Sequence, residues 1–213
     1  MSLFVPYTPK AMECVSATLK ILKFSIYLFL SCIIISCNKE NKIGETPEIT
    51  PDTTIVAING LLQVDGNKIV NKDGEPVSLA GNSFFWSNDN WGGERYYTPE
   101  VVAWLKDDWN TTIVRAAMGV EDPGGYLDNK PVNKNRVITL VDAAIDVGIY
   151  VIIDWHSHHA EDHINEAVIF FQEMATLYGE YDNVIYELYN EPLDISWSNA
   201  IKPYALAVTS AIR

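Results

Sequence analysis

Asn190-Glu191-Pro192 closes a β-branched, aromatic-rich run, Asn183-Val184-Ile185-Tyr186-Glu187-Leu188-Tyr189. That order sets a carboxylic acid at the C-terminal tip of an expected strand, between an amide and a proline. A carboxyl group so placed is suited to protonating a leaving oxygen, and such chemistry needs a second carboxylate across the bond being broken. No Asp or Glu follows Asp194, so either the partner acid lies upstream of Glu191 or the catalyst extends past residue 213. Arg115 sits mid-run among Thr, Ile, Val, Ala and Met. Burying an arginine there is costly unless it is paired, so it is expected to neutralise a carboxylate, in the site or in a structural ion pair. Asp154 and His156 end another apolar run. His158, His159, Glu161, Asp162 and His163 crowd the following loop with metal-ligating types. Catalytic zinc sites draw their ligands from well-separated segments, so neither a metal nor any other cofactor is expected.

The elements that must hold these residues alternate regularly. Asp65-Gly66-Asn67 is a turn signal between apolar segments, so Leu61–Val64 and Lys68–Val70 are expected to pair as a hairpin. Strands are then expected at Val77–Phe84, Thr111–Met118, Ile149–Asp154 and Asn183–Tyr189. Helices follow at Pro99–Asp108, Lys134–Val147, His163–Tyr178 and Ser198–Arg213. Thr98 and Pro99 open the first helix, and Gly148 and Gly179 stop the next two. Four strand–helix units in sequence imply a parallel sheet with right-handed crossovers. No glycine-rich phosphate fingerprint follows the first strand, which disfavours a nucleotide-binding doubly wound sheet. Polar residues recur where each strand ends: Asn82 and Trp86, Arg115, Asp154 and His156, Asn190 and Glu191. Chemistry gathered on one rim of parallel strands is the pattern of a TIM (β/α)8 barrel. About the first four of its eight units would be present, behind an N-terminal hairpin.

With 213 residues and a net charge of −13, the chain suits one sizeable core and repels nucleic acid. Of its 15 basic and 28 acidic residues, only Lys10, Lys20, Lys23 and Glu13 precede Cys37. Those lysines lead into an uncharged apolar run, Phe24–Ser36, of secretory-signal type and too short to span a bilayer comfortably. Ile34-Ile35-Ser36-Cys37 and the polar stretch behind it resemble the lipobox of bacterial lipoproteins. That resemblance implies cleavage before Cys37, a lipid on its sulfur, and an extracytoplasmic protein of the cell envelope; a plain signal peptide and a secreted protein is the alternative. Cys14 and Cys32 fall in the removed segment, leaving no disulfide within the mature chain. The expected division is a signal at 1–37, a flexible tether at 38–54, and the first half of a catalytic barrel at 55–213.

Several runs together resemble a bacterial endoglucanase of glycoside hydrolase family 5. They are Phe85-Trp86-Ser87, Tyr96-Tyr97, Val101 to Trp109, Val114-Arg115-Ala116-Ala117-Met118, Val151 to Ala160 (VIIDWHSHHA) and Asn190-Glu191-Pro192-Leu193, in the family's order. The resemblance implies retaining cleavage of β-1,4-linked glucan by a TIM barrel. It makes Glu191 the acid/base and Asn190 the contact to the sugar 2-hydroxyl. His156 would line the cleavage subsite, and Arg115 would orient a nucleophile placed beyond residue 213. Trp86, Trp91, Trp155 and His158 are expected to bind substrate, whereas Trp104 and Trp109 are expected in the core. Several relatives carry an aromatic where this chain has Gly119, which puts that sugar contact in doubt.

The chemistry expected is double displacement on a β-glucan oligosaccharide or polysaccharide, with no turnover by this chain alone. Three alternatives stand beside it. One is a related barrel cutting mannan or mixed-linkage glucan; the second is a surface glycan-binding lipoprotein without catalysis; the third is a metal-dependent hydrolase using His156 and His158 as a His-x-His pair.

Overall fold

The computed structural model describes residues 53–213. The expected signal segment, Cys37 and nearly all of the tether lie outside those residues. Thr54 caps a short helix, α1 (Ile55–Asn59), by accepting a hydrogen bond from the Ala57 amide at 3.2 Å. The tether was expected to run to residue 54 and meet a hairpin; instead this helix intervenes and packs under the sheet. Its Val56 amide reaches the Gly148 carbonyl, and Tyr150 donates its hydroxyl to the Gly60 carbonyl at 2.6 Å. The hairpin is present as β1 (Gln63–Asp65) and β2 (Lys68–Val70) around the Asp-Gly turn.

Four parallel strands follow in chain order: β3 (Gly81–Ser83), β4 (Ile113–Gly119), β5 (Tyr150–His156) and β6 (Val184–Glu187). After each comes a helix: α2 (Pro99–Trp109), α3 (Lys130–Val147), α4 (Ile164–Tyr178) and α5 (Lys202–Ile212). Consecutive parallel strands with a helix behind each are four successive units of a (β/α)8 barrel.

Local chemistry accounts for most boundaries. Thr98 accepts from the Val101 amide and Pro99 enters the first turn of α2. Gly148 ends α3 in the left-handed region, φ 70°, where a side chain would also strike Thr54. Pro131 lets α3 start at Lys130, four residues before the expected Lys134, because the missing N–H of a first-turn proline costs nothing there. The first sheet strand is shorter than the expected Val77–Phe84 because the hairpin captures its beginning: Val77 donates to Ile69 and Pro76 bridges Val70. β6 ends at Glu187, not Tyr189, where Tyr204 takes the Leu188 carbonyl at 2.6 Å. The last helix is preceded by a π-helical turn at Trp197–Ile201.

The core lies between the sheet and its helices. Val114, Ala116 and Met118 of β4, Val151, Ile153 and Trp155 of β5, and Phe170, Phe171 and Met174 of α4 are all buried there. Trp155 meets Tyr126, Phe170 and Phe171 with ring centroids 5.3–6.3 Å apart. This corrects its assignment to substrate. Strand side chains alternate in direction, so once Asp154 and His156 face the site, Trp155 between them must face the helices. Trp104 and Trp109 are corrected the other way: they pack on each other at 5.3 Å and are 51% and 56% exposed. Among the described residues, no helix is long and apolar enough to cross a membrane.

Candidate active site

The opposite faces of β4, β5 and β6 carry the charged residues. Register sets Ala117 beside Asp154, Asp154 beside Glu187, and Gly119 beside His156. Arg115 reaches across this face. Its Nε donates to Glu187 Oε2 at 2.7 Å, and its Nη2 to Glu187 Oε1 at 2.8 Å, a two-pronged pairing that fixes both side chains. The same Nη2 donates to Asn190 Oδ1 at 2.8 Å and lies 2.9 Å from Asp154 Oδ2. A terminal guanidinium nitrogen has only two hydrogens, both directed at Glu187 and Asn190, so Asp154 is held by charge alone. Burial lowers the Arg115 pKa, but its bond to Glu187 and the nearby carboxylates outweigh that and raise it.

Asp154 is fully buried. Its Oδ2 also accepts from His156 Nδ1 at 2.6 Å, while Oδ1 has no partner among the described residues. Burial is the dominant influence and pushes its carboxyl above the usual range, against the pull of His156 and Arg115. An ionised carboxylate oxygen can only accept, so His156 Nδ1 is the donor of this bond. Glu187 is the member that the sequence expectations missed. Its signal was present, since a lone acid within an apolar strand mirrors the lone Arg115 within another.

Beyond the tip of β6, Asn190 is tied to Arg115 while Glu191 projects outward. The Glu191 side chain is 72% exposed. His158 is its one partner among the described residues: Nδ1 lies 3.2 Å from the Glu191 carbonyl oxygen and 3.7 Å from Oε2. Tyr189 places its hydroxyl against both the His158 carbonyl and the Glu161 carboxylate. His159, Glu161 and Asp162 bring ligand atoms within 4.8 Å of one another, with Glu161 already engaged by Tyr189.

Trp86 and Trp91 stack with centroids 5.3 Å apart and planes 12° from parallel, and the Trp86 ring meets His156 edge-on at 4.3 Å. The loop carrying them is braced from α3. Arg136 donates to the Ser87 carbonyl and to Asp89 Oδ1, each at 2.6 Å, and Asn129 holds the other Asp89 oxygen at 3.2 Å. Asn88 of this loop fills the space beside Gly119, where an added Cβ would fall 1.8 Å from Asn88 Oδ1. A side chain at position 119 is therefore sterically excluded while Asn88 keeps this place. Trp86, Trp91, His156, His158, Asn190 and Glu191 thus gather at the C-terminal ends of the strands, the rim where (β/α)8 enzymes act. Trp155 does not.

Residues 70–213 match the cellulase model of glycosyl hydrolase family 5. Endoglucanase Z of Dickeya dadantii is 60% identical over 152 residues, which make up 71% of this chain and 35% of that protein. Endoglucanase A of Evansella cellulosilytica is 46% identical over 145 residues, 66% of this chain and 29% of that protein. Among solved structures, one from Cytophaga hutchinsonii superposes with a TM-score of 0.72 at 53% identity, covering 75% of this chain and 51% of that one. The catalytic domain of a Thermobifida fusca endoglucanase superposes with a TM-score of 0.70 at 34% identity, over 75% of this chain and 52% of that one; a variant of it was solved in complex with cellotetraose. The chain therefore spans about half the length of these solved structures and less of the curated relatives. It is a member of glycosyl hydrolase family 5.

Proposed function

We propose that this chain carries the acid/base half of a retaining endo-β-1,4-glucanase. Glu191 protonates the departing glycosidic oxygen, a second carboxylate attacks the anomeric carbon, and Glu191 then activates the water that releases the glycosyl-enzyme. Asn190, oriented by Arg115, offers its amide N–H to the sugar 2-hydroxyl. His156 lines the cleavage point, and the exposed ring of the Trp86–Trp91 stack receives a pyranose face. The observation that carries this reading is Asn190-Glu191 at the rim, anchored through Arg115 to the faces of β4 and β5.

The nucleophile is neither Glu187 nor Asp154. Both are held by Arg115, and Asp154 is sealed beneath the site, whereas a retaining nucleophile must stand about 5–5.5 Å from the acid across an open subsite. Ahead of this domain, residues 1–37 act as an export signal, Cys37 takes a lipid, and residues 38–53 form a tether up to the Thr54 cap, giving an envelope-bound enzyme.

Calorimetry and hydrolysis assays on the full chain test this reading. It should bind cellopentaose in preference to mannopentaose, lose binding in Trp86→Ala and keep it in Glu191→Gln. Because Arg115 holds both Glu187 and Asp154, residues 1–213 by themselves are not expected to turn over soluble cellulose. Turnover abolished in Glu187→Gln would move the nucleophile onto β6, and turnover surviving in Glu191→Gln would remove the acid/base assignment.

A further inference from the structure

Glu191 is the group whose position matters most to the proposed chemistry, yet its own strand does not hold it. β6 ends four residues earlier, Pro192 follows with no N–H to donate, and the side chain is mostly in solvent. A carboxylic acid that transfers a proton must meet the leaving oxygen at hydrogen-bond distance, and a 1 Å misplacement costs about a hundredfold in rate. Something other than the strand must therefore fix residue 191.

We propose that His158 is the positioning residue of Glu191: its Nδ1–H clamps the Glu191 carbonyl, and Glu121 and Tyr189 hold His158 in place to do so. This rests on the acid/base role assigned to Glu191 above. The carbonyl, 3.2 Å from Nδ1, can only accept, so Nδ1 carries the proton. The His158 backbone is fixed on both sides of its Cα by side chains from two other loops. Glu121, just beyond β4, accepts the His158 amide at 3.1 Å, and Tyr189, just beyond β6, donates to the His158 carbonyl at 2.9 Å. Glu161 buttresses Tyr189. The second Glu121 oxygen is buried as well, so the carboxylate that accepts the His158 amide has little room to swing away from it. The His158 ring also lies 6.1 Å from that of Trp86, which places the clamp between the aromatic platform and the acid. His158 thus acts through Glu191, a different role from the substrate contact expected of it.

The test needs no turnover, so it stands or falls separately from the glucanase reading. In the full chain labelled with 15N, the His158 ring should carry a proton on Nδ1. The Glu191 amide should be as rigid as the strands, with an order parameter near about 0.85. His158→Ala should drop that value below about 0.6 while β5 amides stay unchanged. His158→Asn, whose amide nitrogen can occupy the place of Nδ1, should restore it, and His158→Gln should not. An Nε2–H tautomer, or a Glu191 amide equally rigid in His158→Ala, overturns the proposal. Loosening spread through β5 as well would make His158 a general packing residue and overturn it too.

Discussion

At the residue scale, Arg115 decides the character of the site. It neutralises two acids that would otherwise face each other across β5 and β6, and it turns Asn190 so that the amide N–H points away from the cluster. Removing it strands charge beside a buried carboxylate. Arg115→Met should cost about 2–3 kcal/mol, below the 3–5 expected of a fully buried pair because Glu187 is partly solvated. Combining it with Glu187→Gln should recover part of the loss, and denaturant unfolding of the single and double variants measures both. That an arginine in an apolar strand would find an acid was evident from its cost alone. Which acid it found was not, because the choice depends on register between strands about 70 residues apart in the sequence, and no local pattern encodes that.

At the element scale, β5 carries core and site on one strand, and its alternation sorts them. Trp155→Ala should destabilise by about 3–5 kcal/mol. Trp155→Phe should cost less than about 1.5 kcal/mol, since the indole Nε1 it removes has no partner among the described residues. In both, cellopentaose affinity in the folded protein should be unchanged, as calorimetry would show. Short-range signals read well: the Asp-Gly turn, the Thr98-Pro99 start and the Gly148 stop all sit where the chemistry of those residues put them. Trp155 was misassigned because its neighbours' roles were transferred to it without regard to which face each side chain takes. The loop bearing Trp86 and Trp91 depends on α3 through Asp89 and Arg136. The bond from Arg136 chiefly holds the Asp89 carboxyl below its ordinary 3.8, with burial opposing. A carboxylate depressed on folding stabilises above its unfolded value and loses that contribution as pH falls through the folded one. The melting-temperature gap between wild type and Asp89→Asn should therefore be widest above pH 3.8 and close below it.

At the scale of the whole molecule, the described sheet has two outer edges, along β3 and β6, that pair with no other described strand. Beside the β3 edge, Phe85, Tyr96, Trp104 and Trp109 leave large apolar surfaces in water. In residues 38–213 taken alone, such strand edges next to exposed aromatics favour association, so sedimentation velocity of that polypeptide should show an average mass that rises with concentration. A monomer at every concentration would contradict this. The alternation along β5 has a consequence for how this chain can evolve. Substitutions sample one face at a time, but a single-residue insertion or deletion within Tyr150–His156 would carry Trp155 into the site and drive Asp154 and His156 among the phenylalanines of α4. Changes of length should therefore survive in the loops and be purged from the strands, where one codon gained or lost exchanges the polar face for the core.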